Sequence, residues 1–187
     1  MSRISVLKTV FCAIALLSFA SLLVAGVHKD HLTDYGKGII EDYSDMSEGV
    51  DVEWQWVKPG FKIGDYNIDV AEFQNLSDIN DNELVESATH QAREAFERLA
   101  RQRQGDAKGS LATENAIFWA ERPSRGKRWI PYAGAHLAQA GCGIEMIFRD
   151  SEGNIVAKLR HSGREGGSPA EAAIELMDEI FVFVRDN

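Results

Sequence analysis

The fold is decided by two alternating runs of residues around one turn, Gly141-Cys-Gly-Ile-Glu-Met-Ile-Phe-Arg-Asp-Ser-Glu-Gly-Asn-Ile-Val-Ala-Lys-Leu159. In the first run Ile144, Met146 and Phe148 alternate with their neighbours, as in a strand that turns one face to a core. Asp150-Ser-Glu-Gly153 supplies the residue types of a tight turn, and the alternation resumes after it. The stretch therefore predicts an antiparallel β-hairpin.

A helix is predicted after the hairpin. Ser168-Pro-Ala-Glu171 combines a capping serine, a proline at the first helical position and a capping-box glutamate. The glycine-rich residues 163–167 precede this helix start and could accept an anion there. Glu165 places a negative charge in that stretch, which favours a plain turn. The predicted helix has a wide apolar face: Ala173, Leu176, Met177, Ile180, Phe181 and Val184.

Two further strands are predicted upstream. Trp54 and Trp56 alternate with polar neighbours, and after a turn the alternation continues from Tyr66 to Val70, which indicates a half-buried strand. The run from Ala112 to Ala120 predicts the strand that precedes the hairpin.

Between these strands the sequence predicts a second amphipathic helix. Asn80 to Glu83 has the pattern of a capping box, and Gly105 is expected to end the helix. Its outer face carries charges of both signs, which is typical of a solvated helix surface. Its inner face is apolar: Val85, Ala88, Ala92, Ala95, Phe96 and Leu99.

The predicted fold class is α+β, with element order β-α-β-β-β-α. A single mixed sheet with both helices packed on one face buries all the apolar faces economically. Residues 54–187 would form this single domain, in accord with the length of the chain. The expected core lies between the sheet and the helices: Phe96, Leu99, Ile144, Met146, Phe148, Ile155, Leu176, Ile180 and Val184.

The N-terminal 26 residues have the layout of an export signal. Arg3 and Lys8 precede an uncharged apolar run from Thr9 to Val27, which closes on the small pair Ala25-Gly26. The length of the run fits either a cleaved signal peptide or an uncleaved anchor in the inner membrane through residues 9–27. Both alternatives predict a periplasmic or cell-envelope location.

The cysteine count agrees with that location. Once the signal is removed, Cys142 is the remaining cysteine, so the sequence allows neither an intramolecular disulfide nor a zinc–cysteine site. An odd thiol outside the cytoplasm can be reactive, but Cys142 adjoins a strand predicted to be buried. We therefore expect a small core residue.

The rest of the chain is acidic. The 20 Lys and Arg residues fall to 18 without Arg3 and Lys8, against 29 Asp and Glu, which leaves a formal balance of −11. That sign disfavours nucleic acid as a partner. Residues 27–53 are especially acidic and show no sustained apolar period, so they are predicted to be a weakly structured lead-in.

Several short motifs resemble a family of uncharacterised bacterial secreted proteins, putative lipoproteins that carry a domain of unknown function. The resemblance rests on Gly38-Ile-Ile-Glu-Asp-Tyr-Ser-Asp-Met46, Trp56-Val-Lys-Pro-Gly60 with a strand at Tyr66, Arg128, Gly134 and Gly141 to Gly153. It covers roughly residues 36–185 and implies an envelope domain similar in fold to the amino-terminal domain of the Tol-system propeller protein. It implies no activity, and the chain lacks the lipidation cysteine of the family.

Catalytic motifs are absent from the sequence. It contains no Gly-x-Ser-x-Gly elbow, no His-Glu-x-x-His and no phosphate-binding loop. We therefore expect no catalytic residues, no metal ligands and no cofactor. The alternative is a periplasmic enzyme of unrecognised type with a site near the sheet. A deep pocket that gathers His161, Glu114 and Glu145 would favour that alternative.

One basic and aromatic segment stands out from the acidic chain. The candidate binding residues lie in residues 121–132: Arg122, Arg125, Lys127, Arg128, Trp129 and Tyr132. Such side chains suit an anionic envelope component or an acidic protein surface. The competing interpretation is a solvated connection whose aromatic residues cover the core. The sequence thus predicts a non-catalytic envelope domain, structural or accessory, that binds a partner through this segment.

Overall fold

The computed structural model describes residues 36–103, 105–124 and 138–187. These belong to one unit, Gly36–Asn187. The predicted export signal or anchor lies outside the described residues. Within the described part of the chain, no helix is both long and apolar enough to cross a membrane.

The described elements alternate in the order expected from the sequence, with additional short strands. The strands are β1 (Ser47–Glu48), β2 (Trp54–Val57), β3 (Asn67–Asp69), β4 (Phe73–Asn75), β5 (Ser110–Glu121), β6 (Gly141–Arg149) and β7 (Ile155–Arg164). The helices are α1 (Asn82–Gln102) and α2 (Pro169–Asp186), and a single 3₁₀ turn spans Ile63–Asp65.

The described strands form one mixed sheet. Its order is β1-β2-β7-β6-β5-β3, and β4 also pairs with β5. β3 and β4 run parallel to β5, whereas the other neighbours are antiparallel. Both helices contribute side chains to the core that also contains one face of the central strands. This architecture confirms the predicted α+β fold class.

The central hairpin has the predicted turn. Gly153 N donates to Asp150 O at 2.9 Å, and Asp150 Oδ1 also accepts from the amides of Glu152 and Asn154. Gly153 has φ of +83°, a conformation that favours glycine. The hydrogen bond from the Asn154 side chain, together with those from the amides of Asn154 and Glu152, holds the pKa of Asp150 below its usual value. The turn sets the register that places Glu145 opposite Arg160.

The two helix starts differ in how well the sequence predicted them. Ser168 Oγ accepts from Glu171 N at 3.2 Å, and Glu171 Oε2 accepts from Gly167 N at 2.6 Å, so the α2 cap is confirmed. The predicted cap of α1 was wrong by one residue. Asp81 is the N-cap, and its Oδ1 accepts from Glu83 N at 3.1 Å. Asp81 occupies this position because its short carboxylate reaches the second helical amide.

The core contains almost all the side chains expected in it. Eight of the nine predicted residues are buried, and Phe96 meets Phe148 edge to face at a centroid distance of 6.4 Å. The exception, Ile155, is half-buried at the start of β7, where it pairs with Arg149 next to a register shift. Cys142 is fully buried among the core residues.

Residues 36–53 contribute to the folded unit, although β1 is their one described strand. Ile40, Met46 and Val52 are buried. The folded unit therefore begins ahead of the predicted start at Trp54. The burial of Ile40, Met46 and Val52 was not apparent from the sequence, because single apolar residues between acidic ones show no hydrophobic periodicity.

Candidate functional site

The predicted binding segment is described only at its start. Arg122 follows the end of β5 and is exposed. Arg125, Lys127, Arg128, Trp129 and Tyr132 lie outside the described residues. Residues 122–140 connect β5 to β6, which are adjacent antiparallel strands.

The described residues at the base of this connection are tied to the sheet. Ser124 N donates to Ala138 O at 3.2 Å. Arg164, in the last position of β7, forms an ion pair with Glu121 and lies over the ring of Trp119 at 5.0 Å. The two ends of the β5–β6 connection are therefore held together and anchored on the sheet.

A second cluster lies on the face of the sheet opposite the helices. Glu145 on β6 is fully buried and pairs with Arg160 on β7, which is nearly so. Glu145 also accepts hydrogen bonds from Ile40 N at 2.9 Å and from the Tyr43 hydroxyl at 2.7 Å. These partners satisfy the buried carboxylate, as a buried charge requires.

Arg160 is held from three sides. Its Nη2 donates to Gly36 O at 3.2 Å, and its Nη1 donates to the Tyr43 hydroxyl at 3.3 Å as well as to Glu145. Its guanidinium lies 3.5 Å from the centre of the Phe118 ring. Flat stacking of a guanidinium on an aromatic ring is favourable where water is excluded.

A β-bulge brings two consecutive aromatic residues to this face. The β5–β6 register shifts between Ile117 and Trp119, so Phe118 and Trp119 both lie over β6. The rings rest on two glycines. A Cβ at Gly143 would lie 2.4 Å from the Phe118 ring, and one at Gly141 would lie 2.3 Å from the Trp119 ring. Glycine at both positions provides the space that the rings occupy.

Residues 36–46, here called the strap, cover this face. In addition to the contacts of Ile40 and Tyr43, Lys158 Nζ donates to Asp42 O at 2.9 Å and to Asp45 Oδ1 at 2.5 Å. Lys158 also lies 5.5 Å from the Trp56 ring. The charged residues of β6 and β7 thus hold the strap on the sheet.

Tyr43 stays neutral in this setting. Burial, together with its hydrogen bond to Glu145, raises the pKa of Tyr43 well above the ordinary 10.0. A raised pKa means that the neutral hydroxyl stabilises the fold. This contribution is complete below pH 10 and is lost as the pH rises further, because the unfolded tyrosine then ionises first.

Gly38→Ala should loosen the strap. An added Cβ would lie 1.9 Å from Glu145 Oε2, so the strap or the carboxylate must move. We expect a loss of about 1–3 kcal/mol in the free energy of unfolding, measured by chemical denaturation. Gly105→Ala is the matched control because a Cβ there meets nothing within 4 Å. Equal stability of the two variants would contradict the close approach of the strap.

The three residues considered for an enzymatic alternative, His161, Glu114 and Glu145, do not lie together in one pocket. Glu145 lies under the strap, whereas His161 contacts Glu179 of α2 on the opposite face. Glu114 pairs with Arg149 at 2.6 Å and is exposed. A cleft of about 220 Å³ beside β2 is lined by other residues, among them Trp56.

The thiol and potential metal ligands give no reactive centre among the described residues. Burial raises the pKa of Cys142 from 9.0 to about 12, although a bond from the Gly143 amide opposes this in part. The thiolate is therefore disfavoured, as in a structural core cysteine.

In the described ranges, no three His, Cys, Asp or Glu residues are grouped so that they could hold a metal ion.

Comparisons with known proteins give a limited likeness. No family model matches the chain, and no curated protein matches it. A PelC dodecamer from Paraburkholderia phytofirmans with a leucine-to-methionine substitution is 16% identical, with 70% of this chain and 94% of that chain covered and a TM-score of 0.45. A second PelC dodecamer from the same organism is 13% identical, with 67% and 95% covered and a TM-score of 0.40. These values are too low to support an inference about function.

The predicted resemblance to the secreted-protein family and to the Tol-system propeller domain was wrong. No family model supports it, and the matching solved structures named above are PelC proteins. Two of the motif residues have roles in the tertiary structure. Gly38 allows the strap to approach Glu145, and Tyr43 donates to the same carboxylate.

The strap cluster was not predicted from the sequence. Alternation with Ile144 and Met146 places Glu145 on the side of the strand away from the predicted core, and such a side is usually solvated. One signal was present: Gly141, Gly143 and Ile147 share that side of β6 with Glu145, so the side is not a hydrophilic one. A buried second face would have explained this pattern.

Proposed function

We propose that this chain is a non-catalytic cell-envelope protein that binds an anionic partner through residues 121–132. The partner is an anionic envelope component or an acidic protein surface. The export signal or anchor in residues 1–26 would deliver the folded unit to the periplasm. The proposal includes no cofactor and no nucleic acid.

The observation that carries the proposal is the fixed base of the β5–β6 connection. Ser124 is bonded to Ala138, and Glu121, Arg164 and Trp119 form a stacked ion pair beside them. Four cations in residues 122–128 are thus attached to an anchored end of an acidic domain. A positively charged segment on a negatively charged domain favours association in one orientation with an anionic surface.

The polar side chains beneath the strap bind one another and the strap, which supports a non-catalytic role. Glu145, Arg160, Lys158 and Tyr43 hold the strap, so their polar atoms are engaged in the fold. A general acid or base needs an atom within hydrogen-bond reach of a substrate. The buried carboxylate of Glu145 offers no such access.

The binding proposal predicts that three substitutions abolish one interaction and leave the fold intact. The triple variant Arg125→Ala, Lys127→Ala and Arg128→Ala should lose a salt-sensitive partner in pull-downs from envelope extract, because screening weakens exposed charge contacts. The free energy of unfolding should be nearly unchanged, whereas a segment that only pairs with the domain's own carboxylates should lose tenths of a kcal/mol for each exposed pair.

A second triple variant controls for net charge. Lys58→Ala, Lys62→Ala and Arg101→Ala remove the same charge from exposed positions elsewhere. This control should keep the partner at low salt and release it at high salt, as the unaltered protein does. Identical partner profiles for all three proteins would show that residues 121–132 are a solvated connection.

The proposed location has its own test. Cell fractionation followed by intact-mass measurement should recover the protein in the envelope fraction, either without residues 1–26 or with them and membrane-bound. Recovery of the full-length chain in the cytosol, with Met1 retained and no membrane association, would contradict export.

A further inference from the structure

A cleft opens at the edge of the sheet beside β2. β1 pairs with Trp54 and Gln55, whereas β2 continues to Val57. The cleft, here called the β2 cleft, has a volume of about 220 Å³ and lies between the strap, this edge and the C-terminal end of α2. One water takes up about 30 Å³ of the liquid, and pockets for drug-sized ligands begin at about 300 Å³. The β2 cleft therefore suits a ligand of one small ring.

The lining of the β2 cleft combines apolar and hydrogen-bonding side chains. Phe183 of α2 is 4% exposed, and Trp56 and Val57 of β2 are half-buried. The other side chains that line the cleft can form hydrogen bonds: Asp45, Ser47, Gln55 and Asn187. An apolar surface with a few polar groups is the usual composition of a small-molecule site.

The polar part of this lining presents acceptors. Lys158 Nζ donates to Asp45 Oδ1 at 2.5 Å, so the second carboxylate oxygen remains an acceptor. Asn187 Nδ2 donates to Phe183 O at 3.0 Å, and the side-chain oxygen of Asn187 likewise remains an acceptor. Gln55 Oε1 is buried and has no hydrogen-bond partner within the described part of the chain. Because buried acceptors ordinarily have a donor, the cleft matches a ligand with several O–H or N–H groups.

The charges beside the cleft distinguish between these two kinds of donor. Among the described residues that line the cleft, Asp45 has the one charged side chain, and Lys158 already neutralises it. Lys158 Nζ also lies 5.5 Å from the centre of the Trp56 ring. A cationic ligand would be repelled by this ammonium group, whereas a neutral ligand would not. Hydroxyl groups are therefore favoured over ammonium groups.

We propose that the β2 cleft binds a single neutral sugar ring. The hydroxyl groups of the sugar donate to Asp45, Gln55 and Asn187, and its apolar C–H face packs on Trp56 and Val57. Aromatic side chains supply a large contact area with a defined face, and a small number of polar groups fixes the orientation of the ligand.

Titration with simple glycosides tests the site. The probes are the methyl glycosides of glucose, galactose, mannose and N-acetylglucosamine, and choline is the cationic probe. At least one glycoside should shift the NMR signals of the Gln55 side-chain amide and the Trp56 indole N–H, and the shift should saturate. The dissociation constant should be on the order of millimolar, as expected for a ligand of about 13 non-hydrogen atoms. All titrations use isotope-labelled full-length protein in a detergent without a sugar headgroup.

Matched variants separate binding in the cleft from nonspecific binding. Gln55→Ala and Asn187→Ala should each weaken glycoside binding about three- to tenfold, which is the effect of one lost hydrogen bond. Gln74→Ala makes the same change as Gln55→Ala on β4, which pairs with β5, and should bind as the unaltered protein does. Asn187 is exposed, so its variant tests the site even if Gln55→Ala does not fold.

Three results would overturn the proposal. The first is the absence of a saturable shift with any glycoside up to tens of millimolar. The second is tighter binding of choline than of the glycosides, and the third is unchanged affinity in both Gln55→Ala and Asn187→Ala. The β2 cleft contains no residue of the 121–132 segment, so this inference goes beyond the proposed function and its test is independent of it.

Discussion

Arg160→Ala is expected to lower the free energy of unfolding by about 3–5 kcal/mol, since removal of one partner leaves a buried charge without compensation. The unpaired charge would be Glu145, which has no exposure to solvent. The substitution also removes the bond to Gly36 O and the stack on Phe118. Urea denaturation monitored by tryptophan fluorescence measures the loss.

Two comparisons identify the cause of that loss. Arg101→Ala removes an arginine from an exposed pair with Glu97 on α1 and should cost only tenths of a kcal/mol. The double variant Glu145→Gln with Arg160→Met removes both charges of this pair and keeps an acceptor for Ile40 N. It should be more stable than Arg160→Ala alone. A stability loss below about 1 kcal/mol for Arg160→Ala would contradict the burial of the pair.

The second large effect is expected in the core. Leu176→Ala should cost about 2–5 kcal/mol, because truncation of a buried leucine loses contacts and leaves a cavity. Leu176 is 2% exposed, and its Cδ2 would lie 3.0 Å from a Cβ at Gly163 of β7. The side chain therefore packs directly on the sheet. Thermal and denaturant unfolding both report this loss.

Leu76→Ala is the matched control for the core. It makes the same chemical change at a residue that is 45% exposed, just after β4. Its effect should stay within about 0.5 kcal/mol, as for most surface substitutions. Similar losses at Leu76 and Leu176 would show that the assignment of the α2 inner face is wrong.

The candidate site could be predicted from the sequence only in part. Residues 121–132 stand out because a local excess of cations and aromatic residues is visible in an acidic chain. The strap cluster could not be found in this way. Tyr43 and Arg160 are 117 positions apart, and each looks like an ordinary residue in its own segment. Their contact depends on which segment covers which face of the sheet.

The bulge in β5 shows a similar limit. Alternation places Phe118 and Trp119 on opposite faces of a regular strand. The register shift after Ile117 puts both on the strap side. A register shift of this kind depends on the residues of the neighbouring strand, here Gly141 and Gly143 on β6. The side-chain periodicity within β5 cannot reveal it.

By itself the sequence determined the hairpin from residue 141 to residue 159, the α2 cap, the apolar face of α2 and most of the apolar face of α1, where the fully buried Leu84 was not predicted. These features follow from turn chemistry, capping and side-chain period, which act over a few residues. Only the tertiary structure decided that the second face of the sheet is covered. Ile40 and Glu145 are 105 positions apart, and their hydrogen bond forms because burial of the carboxylate requires a donor that the strap supplies.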